Sequence, residues 1–309
     1  MSKTFKTLNE QISILQNKGL IIDDINDTKE ILLRENYFFI NGYRHLFLKS
    51  TTDKSFIPGT NFREIYSLFK FDRQMRNIIF KNLLIIENNV KSIFSYQLSK
   101  MYGHKETNYL NPNNFDTSPS KSRQLNDLLK KMRKQIRINS SQHTATSHYI
   151  SNYGYIPMWV AVKVLSFGIV SELFTVMKPI DQLEIAKQFK LDTKTLSLYL
   201  AILANFRNVC AHEDILYSHC FQREIPDNKY HKKLGLTNQK DDYAQGKNDL
   251  FALIIILKQM LLPDYFNLLM REINYDIELL SGQLKVISVD KVLEVLGFPP
   301  NYKDLARMD

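Results

Sequence analysis

Residues 61–101 contain neither glycine nor proline, and their apolar side chains recur every three or four positions. Ile65, Leu68, Ile79 and Leu83 follow this spacing, which predicts one or two long helices. The whole chain of 309 residues holds only 10 glycines and 9 prolines, a scarcity that favours helices over a β fold with many turns. The sequence therefore predicts an all-α helical bundle.

The remaining helices follow from the same kind of spacing and from turn residues. They are predicted at residues 8–19, 27–33, 122–138, 157–176, 181–189, 192–206, 248–262 and 264–280. The aromatic run 36–47 fits either a helix or a strand. Loops are expected at 108–122, 139–147 and 235–246, and the tail 286–309 is expected to be short and irregular. We predict one helical domain over residues 1–282, with the helices of residues 1–60 packed on its core, and a C-terminal extension at 283–309.

The excess of basic over acidic residues indicates which binding partners the protein suits. Lys and Arg outnumber Asp and Glu by 41 to 32, which gives a formal net charge of +9. This balance suits RNA, DNA or an anionic membrane, although it also fits a merely basic surface.

Two features bear on the compartment. Cys210 and Cys220 are the only cysteines, which favours a reducing cytoplasm over a disulfide framework. The first six residues precede no apolar run, and the longest apolar stretch, residues 250–257, is too short to span a bilayer. We therefore expect a soluble cytoplasmic protein without a membrane partner.

One hexamer combines the chemistry of phosphodiester cleavage: Arg207-Asn208-Val209-Cys210-Ala211-His212. Arginine presents a planar cationic fork that suits phosphate oxygens, and histidine exchanges a proton near neutral pH. On a helix, Asn208 and His212 share a face, while Arg207 lies about 100° away and reaches the same pocket only by its length. Glu213 and Asp214 follow and are expected to orient the imidazole.

Such a set suffices to cleave RNA without a metal or another cofactor. The imidazole of His212 would take the proton of a ribose 2′-OH, and Arg207 would stabilise the charge on the phosphorane oxygens. One imidazole cannot easily serve as base and acid together, so a second protomer is expected to supply the other.

Spacing alone leaves a structural alternative open. Arg137 and His143 form a similar pair in an expected loop without an adjacent asparagine, so such a pair also arises by chance. On that interpretation, Arg207 and His212 are ordinary residues at the end of a helix, and neighbouring carboxylates accept their hydrogen bonds.

Several spaced segments point to a known family. The hexamer, at the end of an apolar helix, resembles the HEPN ribonuclease motif. Three further segments resemble, in the same order, segments of the Abi family of abortive-infection proteins. They are residues 39–44 (Phe-Ile-Asn-Gly-Tyr-Arg), residues 71–76 (Phe-Asp-Arg-Gln-Met-Arg) with Glu87, and residues 157–168, which start Pro-Met-Trp and end Ser-Phe-Gly. Within that family the chain resembles the AbiD/AbiF-like group, over about two-thirds of its length.

The resemblance implies a HEPN-like helical bundle with additional N-terminal and C-terminal helices. It also implies a homodimeric, metal-independent endoribonuclease that acts as a toxin in phage-infected cells, held in check by a small noncoding RNA. Arg207, Asn208 and His212 occupy the catalytic positions of the motif. Asp72, Arg73 and Glu87 also match family positions, either as buried ion pairs or as part of the chemistry.

A basic helix offers a second candidate site. Residues 122–138 combine an apolar face with six cations, which are Arg123, Lys130, Lys131, Arg133, Lys134 and Arg137. These cations suit the phosphates of an RNA backbone, although they are equally expected on a helix face that is simply solvated. Tyr149, Tyr153 and Tyr155 are candidates to stack on bases, although such a cluster more often belongs to a core.

Two alternatives to the nuclease come from other classes. One is a non-catalytic RNA-binding module that uses the same basic surface. The other is a zinc site formed by Cys210, His212, His219 and Cys220, whose spacing fits no usual zinc pattern, so no metal is expected.

Overall fold

A computed structural model describes residues 4–236 and 245–308, and within these ranges the chain forms helices and no β-strand. The all-α prediction is thereby confirmed. Most of the predicted loop 235–246 lies outside the described residues. The α-helices of the described ranges are α1 (Leu8–Asn17), α2 (Ile25–Glu35), α3 (Phe38–Tyr43), α4 (Phe62–Tyr102), α5 (Glu106–Tyr109), α6 (Pro119–Asn139), α7 (Thr144–Tyr153), α8 (Met158–Val164), α9 (Phe167–Val176), α10 (Pro179–Gln188), α11 (Thr193–Ala211), α12 (Lys229–Leu234), α13 (Leu250–Met260), α14 (Pro263–Ser281) and α15 (Val289–Val295).

The long helix predicted at 61–101 is a single helix, α4, and local signals set both of its ends. The side chain of Asn61 accepts a hydrogen bond from the Arg63 N–H at 2.8 Å, and the Glu64 carboxylate accepts from the Asn61 N–H at 3.4 Å. Gly103 ends the helix with a φ of 94°, a conformation that other residues rarely adopt. At 1.5 Å per residue, α4 is about 60 Å long.

The other helices pack around α4. Helices α3, α5, α8, α10, α11 and α14 all contact it, and α6 and α11 both pack on α9. Its inward face carries Ile65, Leu68, Ile79 and Leu83, none of which is exposed to solvent. Helix α13 is buried along residues 250–257. Among the described residues, none of the helices has the length and hydropathy that a membrane span requires. The axis of the fold is thus α4, and α11 lies against it.

Several segments differ from the prediction: the loop expected at 108–122 contains a 3₁₀ turn at Pro112–Asn114 and the start of α6, and α12 was not predicted. The loop expected at 139–147 already contains the start of α7 at Thr144, for which His143 is the N-cap residue. The single helix expected at 157–176 is two helices, because Leu165 and Ser166 leave the helical conformation. The Ser166 hydroxyl accepts a hydrogen bond from the Ile169 N–H at 3.4 Å and so starts α9.

The ambiguous run at 36–47 is helical. It forms α3 and a 3₁₀ turn at His45–Phe47, and Phe39 packs its ring 4.7 Å from that of Phe69 on α4. The edge-on and tilted aromatic contacts of this region join the N-terminal helices to α4.

The prediction of an irregular tail is wrong. Residues after 286 form α15 and a 3₁₀ turn at Tyr302–Arg307, and the side chains of Leu296 and Leu305 are fully buried. The Tyr302 hydroxyl donates a hydrogen bond to the Asn274 side chain on α14 at 2.9 Å. Pro299 and Pro300 interrupt the apolar spacing, which hides this pattern in the sequence.

Candidate active site

The hexamer occupies the last turn of α11. Asp192 starts this helix, because its carboxylate accepts hydrogen bonds from the backbone N–H groups of Lys194 and Thr195, both at 2.9 Å. The helix ends at Ala211, and His212 is its C-cap residue, with its N–H donated to the Asn208 carbonyl at 2.9 Å. The apolar body of α11 therefore places the hexamer where this helix ends, beside α4.

The side chains of the hexamer divide between core and solvent. Val209 and Cys210 are buried and anchor the turn, whereas Asn208 and His212 are both exposed. Arg207 is half-buried and turns towards α4 instead. Within the described residues, no side-chain hydrogen bond joins Arg207, Asn208 and His212 to one another.

Arg207 is held by a buried carboxylate of α4. Its Nε donates to Oε2 of Glu87 at 3.2 Å, and its guanidinium lies 5.8 Å from the centroid of the Phe80 ring. Oε1 of Glu87 accepts from Lys91 at 2.6 Å, so this carboxylate bridges two cations while only 6% of the residue is exposed. The Nη atoms of Arg207 have no hydrogen-bond partner in the described part of the chain and remain available to a phosphate.

The carboxylates expected to orient His212 do not reach it. Glu213 adopts a φ of 56°, and its carboxylate lies 3.8 Å from Arg73 instead. The side chain of Asp214 is exposed, and its backbone carbonyl accepts a hydrogen bond from Arg76 at 3.2 Å. The expectation fails because the chain turns sharply after the helix end and carries both residues away from the imidazole.

A buried ion pair holds the segment that follows His212. Asp72 and Arg76 form this pair on successive turns of α4, with 0% and 2% of the residues exposed. The Asp72 carboxylate also accepts from the Tyr43 hydroxyl at 2.5 Å and from the Leu216 N–H at 3.1 Å. Burial raises the pKa of Tyr43, and the adjacent Asp72 raises it further, so this hydroxyl stays protonated and donates.

The aromatic segment at 39–44 contacts the same turn. The rings of Tyr43 and Tyr217 stack at 5.4 Å, and the Tyr217 hydroxyl donates to the Gly42 carbonyl at 3.0 Å. A Cβ at Gly42 would overlap the side chain of Ile215, so a glycine permits this close approach. Burial, and secondarily Asp72, raises the pKa of Tyr217 to about 12. Two of the family-like segments thus position the end of the hexamer.

Arg73 takes a different role from Asp72. Its two Nη atoms donate to the two carboxylate oxygens of Glu35, at 2.9 and 2.6 Å, and its guanidinium lies 4.5 Å from the Phe69 ring centroid. This paired geometry ties α2 to α4. Of the three residues whose role the sequence leaves open, Asp72 pairs with Arg76 within α4, Arg73 joins α2 to α4 through Glu35, and Glu87 contacts the hexamer.

The four zinc-type residues do not form a cluster. Cys210 is buried, which raises the pKa of its thiol to about 12, while Cys220 is exposed. His219 interacts with the Asn205 side chain at 2.6 Å, and burial lowers its pKa. Across residues 4–236 and 245–308, no group of three or more His, Cys, Asp or Glu side chains is arranged to hold a metal ion.

The basic helix is α6, and all six of its predicted RNA-binding cations are exposed. Arg123, Lys130, Lys134 and Arg137 lie within about 60° of arc, opposite the buried face, at 100° per residue. Two cations on the flanks have partners: Lys131 donates to Glu172 at 2.9 Å and Arg133 to the Leu110 carbonyl at 3.1 Å. Lys130 is 4.0 Å from Asp127. The outward stripe of four cations, which we call the basic stripe, is the part of α6 best suited to a polyanion.

A cavity of about 510 Å³ opens beside Glu87, and the sequence interpretation missed it. Lys91, His143, Trp159 and Lys163 line it. A signal was present: polar residues recur every three or four positions along one face of the otherwise apolar α4, at residues 87, 88, 91, 92 and 95. Tyr153 is 59% exposed, so the core interpretation of the tyrosine cluster does not hold for it, and the neighbouring Trp159 is 46% exposed.

Comparison with known proteins places this arrangement in a family. Residues 30–218 match the family model described as Abi-like protein, and this match covers more than half of the chain. It includes the hexamer, the Asp72–Arg76 pair and Glu87. No curated protein and no solved structure matches the chain.

Proposed function

We propose, from the premise that this chain belongs to the Abi-like protein family, that it is an endoribonuclease that works without a metal. Membership of the family supports a role in abortive infection, which is a form of antiviral defence. The chemistry is an HEPN-type cleavage of RNA, and Arg207, Asn208 and His212 carry it.

The observation that carries the proposal is the contact of Arg207 with Glu87 at the helix end that exposes Asn208 and His212. Glu87 holds the Nε side of Arg207, which leaves the Nη fork available at the helix end where Asn208 and His212 are exposed. A cationic fork, an amide and an imidazole on one accessible turn suit a phosphodiester and its ribose.

The reaction follows from these groups. The neutral imidazole of His212 accepts the proton of a ribose 2′-OH, and the 2′-oxygen attacks the adjacent phosphorus. Arg207 stabilises the negative charge that grows on the non-bridging oxygens, and Asn208 orients the ribose or the imidazole. The bond to the 5′-oxygen breaks as that oxygen receives a proton, which leaves a 2′,3′-cyclic phosphate and a 5′-OH. Acid–base assistance of this kind contributes roughly 10²–10⁴-fold.

The proton for the leaving oxygen requires a second group. In an in-line attack the 2′-oxygen and the departing 5′-oxygen lie on opposite sides of the phosphorus, so the imidazole that accepts the 2′-OH proton does not easily reach the 5′-oxygen. We therefore propose a homodimer in which the partner's His212 faces the first and supplies that proton. The exposure of His212 leaves room for such an approach.

The basic stripe on α6 supplies affinity for RNA in this proposal. Phosphate contacts from Arg123, Lys130, Lys134 and Arg137 are insensitive to sequence, so the same stripe serves a substrate or an inhibitory noncoding RNA. The basic stripe would serve a non-catalytic RNA-binding module equally well. The two functions are distinguished only by whether substitution of the hexamer abolishes RNA cleavage.

Growth of a bacterial culture tests the proposal. Induction of the wild-type chain should reduce the number of viable colonies, and Arg207→Ala or His212→Ala should restore it. His45→Ala changes an exposed histidine outside the hexamer and should remain as toxic as the wild type. Equal toxicity of all four chains would exclude the hexamer as the source of the activity.

A further inference from the structure

The cavity beside Glu87 is built mainly from two helices. The polar face of α4 contributes Lys91 and its neighbours, α8 contributes Trp159 and Lys163, and His143 completes the lining. Its volume of about 510 Å³ is within the range of small-molecule sites and suits one nucleotide. Because Glu87 also binds Arg207, the cavity adjoins the proposed cleavage site.

Trp159 presents an aromatic surface within this cavity. Its ring contacts the His104 ring, with centroids 5.3 Å apart and 29° between the planes, yet 46% of the residue is exposed. An indole that rests on another ring and keeps nearly half of its surface open is suited to stack on a planar base.

The polar lining suits the rest of a nucleotide. Lys163 is exposed and has no ion-pair or hydrogen-bond partner among the described residues, so its charge is available to a phosphate. The Nδ1 atom of His143 is buried without a hydrogen-bond partner, as far as the described residues extend. A buried ring nitrogen without a partner is unfavourable, but a ligand does not reach this atom in the present arrangement, so Lys163 is the group that suits the nucleotide.

A series of aromatic rings leads away from the cavity along α7. The centroid distances are 5.3 Å from Trp159 to His104, 5.5 Å from His104 to Tyr155, 6.5 Å from Tyr155 to Tyr153 and 5.3 Å from Tyr153 to Tyr149. We call these five residues the ring series. Tyr153 is 59% exposed, so the series reaches solvent at both Trp159 and Tyr153.

We infer that the cavity binds an unpaired nucleotide next to the cleaved phosphate and that the ring series stacks on further unpaired bases, so that the substrate is single-stranded RNA. Aromatic rings bind single strands because each base offers a free face, whereas the bases of a duplex are already stacked. The inference rests on the proposed function for its link to cleavage, but binding tests it separately.

Trp159 is the only tryptophan in the chain, so its fluorescence reports directly on the cavity. Full-length His212→Ala, which preserves the RNA, would be titrated with an unstructured 12-nucleotide RNA and with the duplex of the same sequence. The single strand should quench the emission in a saturable manner, and the duplex should not. Equal quenching by both, or none by the single strand, would overturn the inference.

Affinity measured by anisotropy of labelled RNA provides a second test. Trp159→Ala and Tyr153→Ala, each in the His212→Ala background, should bind the single strand about ten-fold more weakly or worse. Tyr96→Ala changes a tyrosine of α4 that is 65% exposed and outside the ring series, and should bind normally. Normal binding by both ring-series variants would contradict the inference.

The two proposals fail in different ways. If the wild-type chain quenches with single-stranded RNA but does not cleave it, the inference stands and the nuclease proposal fails. If it cleaves RNA through His212 without quenching at Trp159, the nuclease proposal stands and the inference fails.

Discussion

Arg207 and Glu87 lie 120 positions apart in the chain, yet the Nε of one is 3.2 Å from Oε2 of the other. The contact joins the last turn of α11 to the middle of α4. It constrains one side of the guanidinium and leaves the Nη fork available. Glu87 is therefore the residue that positions the arginine of the hexamer.

Substitution of Glu87 should misplace Arg207 without removing it. Because a displacement of about 1 Å at a reacting group can cost roughly 100-fold, we expect Glu87→Gln to lower the rate of RNA cleavage by about 10- to 100-fold. The variant would be assayed beside Arg207→Ala and the double variant. If Glu87 acts only through Arg207, the double variant is no slower than Arg207→Ala. Additive losses would contradict that role.

The buried pair of Asp72 and Arg76 should matter for stability. Removal of one member of a buried pair leaves the other charge uncompensated and costs about 3–5 kcal/mol. We therefore expect Asp72→Asn to lower the free energy of unfolding by roughly that amount in urea titrations. As a control, Glu184→Gln breaks the exposed pair with Lys187, and its urea midpoint of unfolding should equal that of the wild type. Similar midpoints for the two variants would argue against a stabilising role of the buried pair.

Asp276 should make stability depend on pH. It is 7% exposed, and burial, with Asp72 as a second cause, raises its pKa to about 7. An aspartate of the unfolded chain titrates near pH ~4, so between about pH 4 and 7 the folded chain retains a proton that the unfolded chain releases. The free energy of unfolding should therefore fall as the pH rises through this window.

The variant Asp276→Asn removes this titration. Its melting temperature should exceed that of the wild type by more at pH 8 than at pH 5, because the wild type buries a charge only at the higher pH. Asp304→Asn changes an exposed aspartate and should show the same small difference at both pH values. A gain for Asp276→Asn that is independent of pH would contradict the assignment.

The basic stripe should set the salt dependence of RNA binding. Replacement of Arg123, Lys130, Lys134 and Arg137 by glutamine removes up to four phosphate contacts, and each contact to a single strand contributes about 0.7 to the slope of log K against log salt. We expect the slope to fall by up to about 3. As a control, replacement of Lys229, Lys232 and Lys233 of α12 by glutamine removes positive charge outside the basic stripe. This variant should leave the slope nearly unchanged. An unchanged slope in the stripe variant would place the RNA elsewhere.

Local signals explain what could be predicted from sequence. The ends of α4 follow from the cap at Asn61 and from Gly103, and the position of the hexamer follows from the apolar body of α11. The break at Ser166 was missed because a single capping hydroxyl interrupts an otherwise continuous apolar pattern.

Contacts between distant segments could not be predicted in the same way. The pairing of Arg207 with Glu87 and the position of His143 beside Trp159 depend on how α4, α8 and α11 pack. The turn that carries Glu213 and Asp214 away from His212 depends on the buried Asp72, which lies in another helix. Spacing within one helix contains no information on these contacts.

Cleavage of a labelled single-stranded RNA by the purified chain in EDTA tests the proposed nuclease most directly. We expect fragments with a 2′,3′-cyclic phosphate and a 5′-OH. We also expect His212→Ala to lower the rate by roughly 100-fold or more, while His45→Ala cleaves normally. Cleavage by His212→Ala at the wild-type rate, fragments with a 3′-OH, or a complete loss of wild-type activity in EDTA would contradict the proposal.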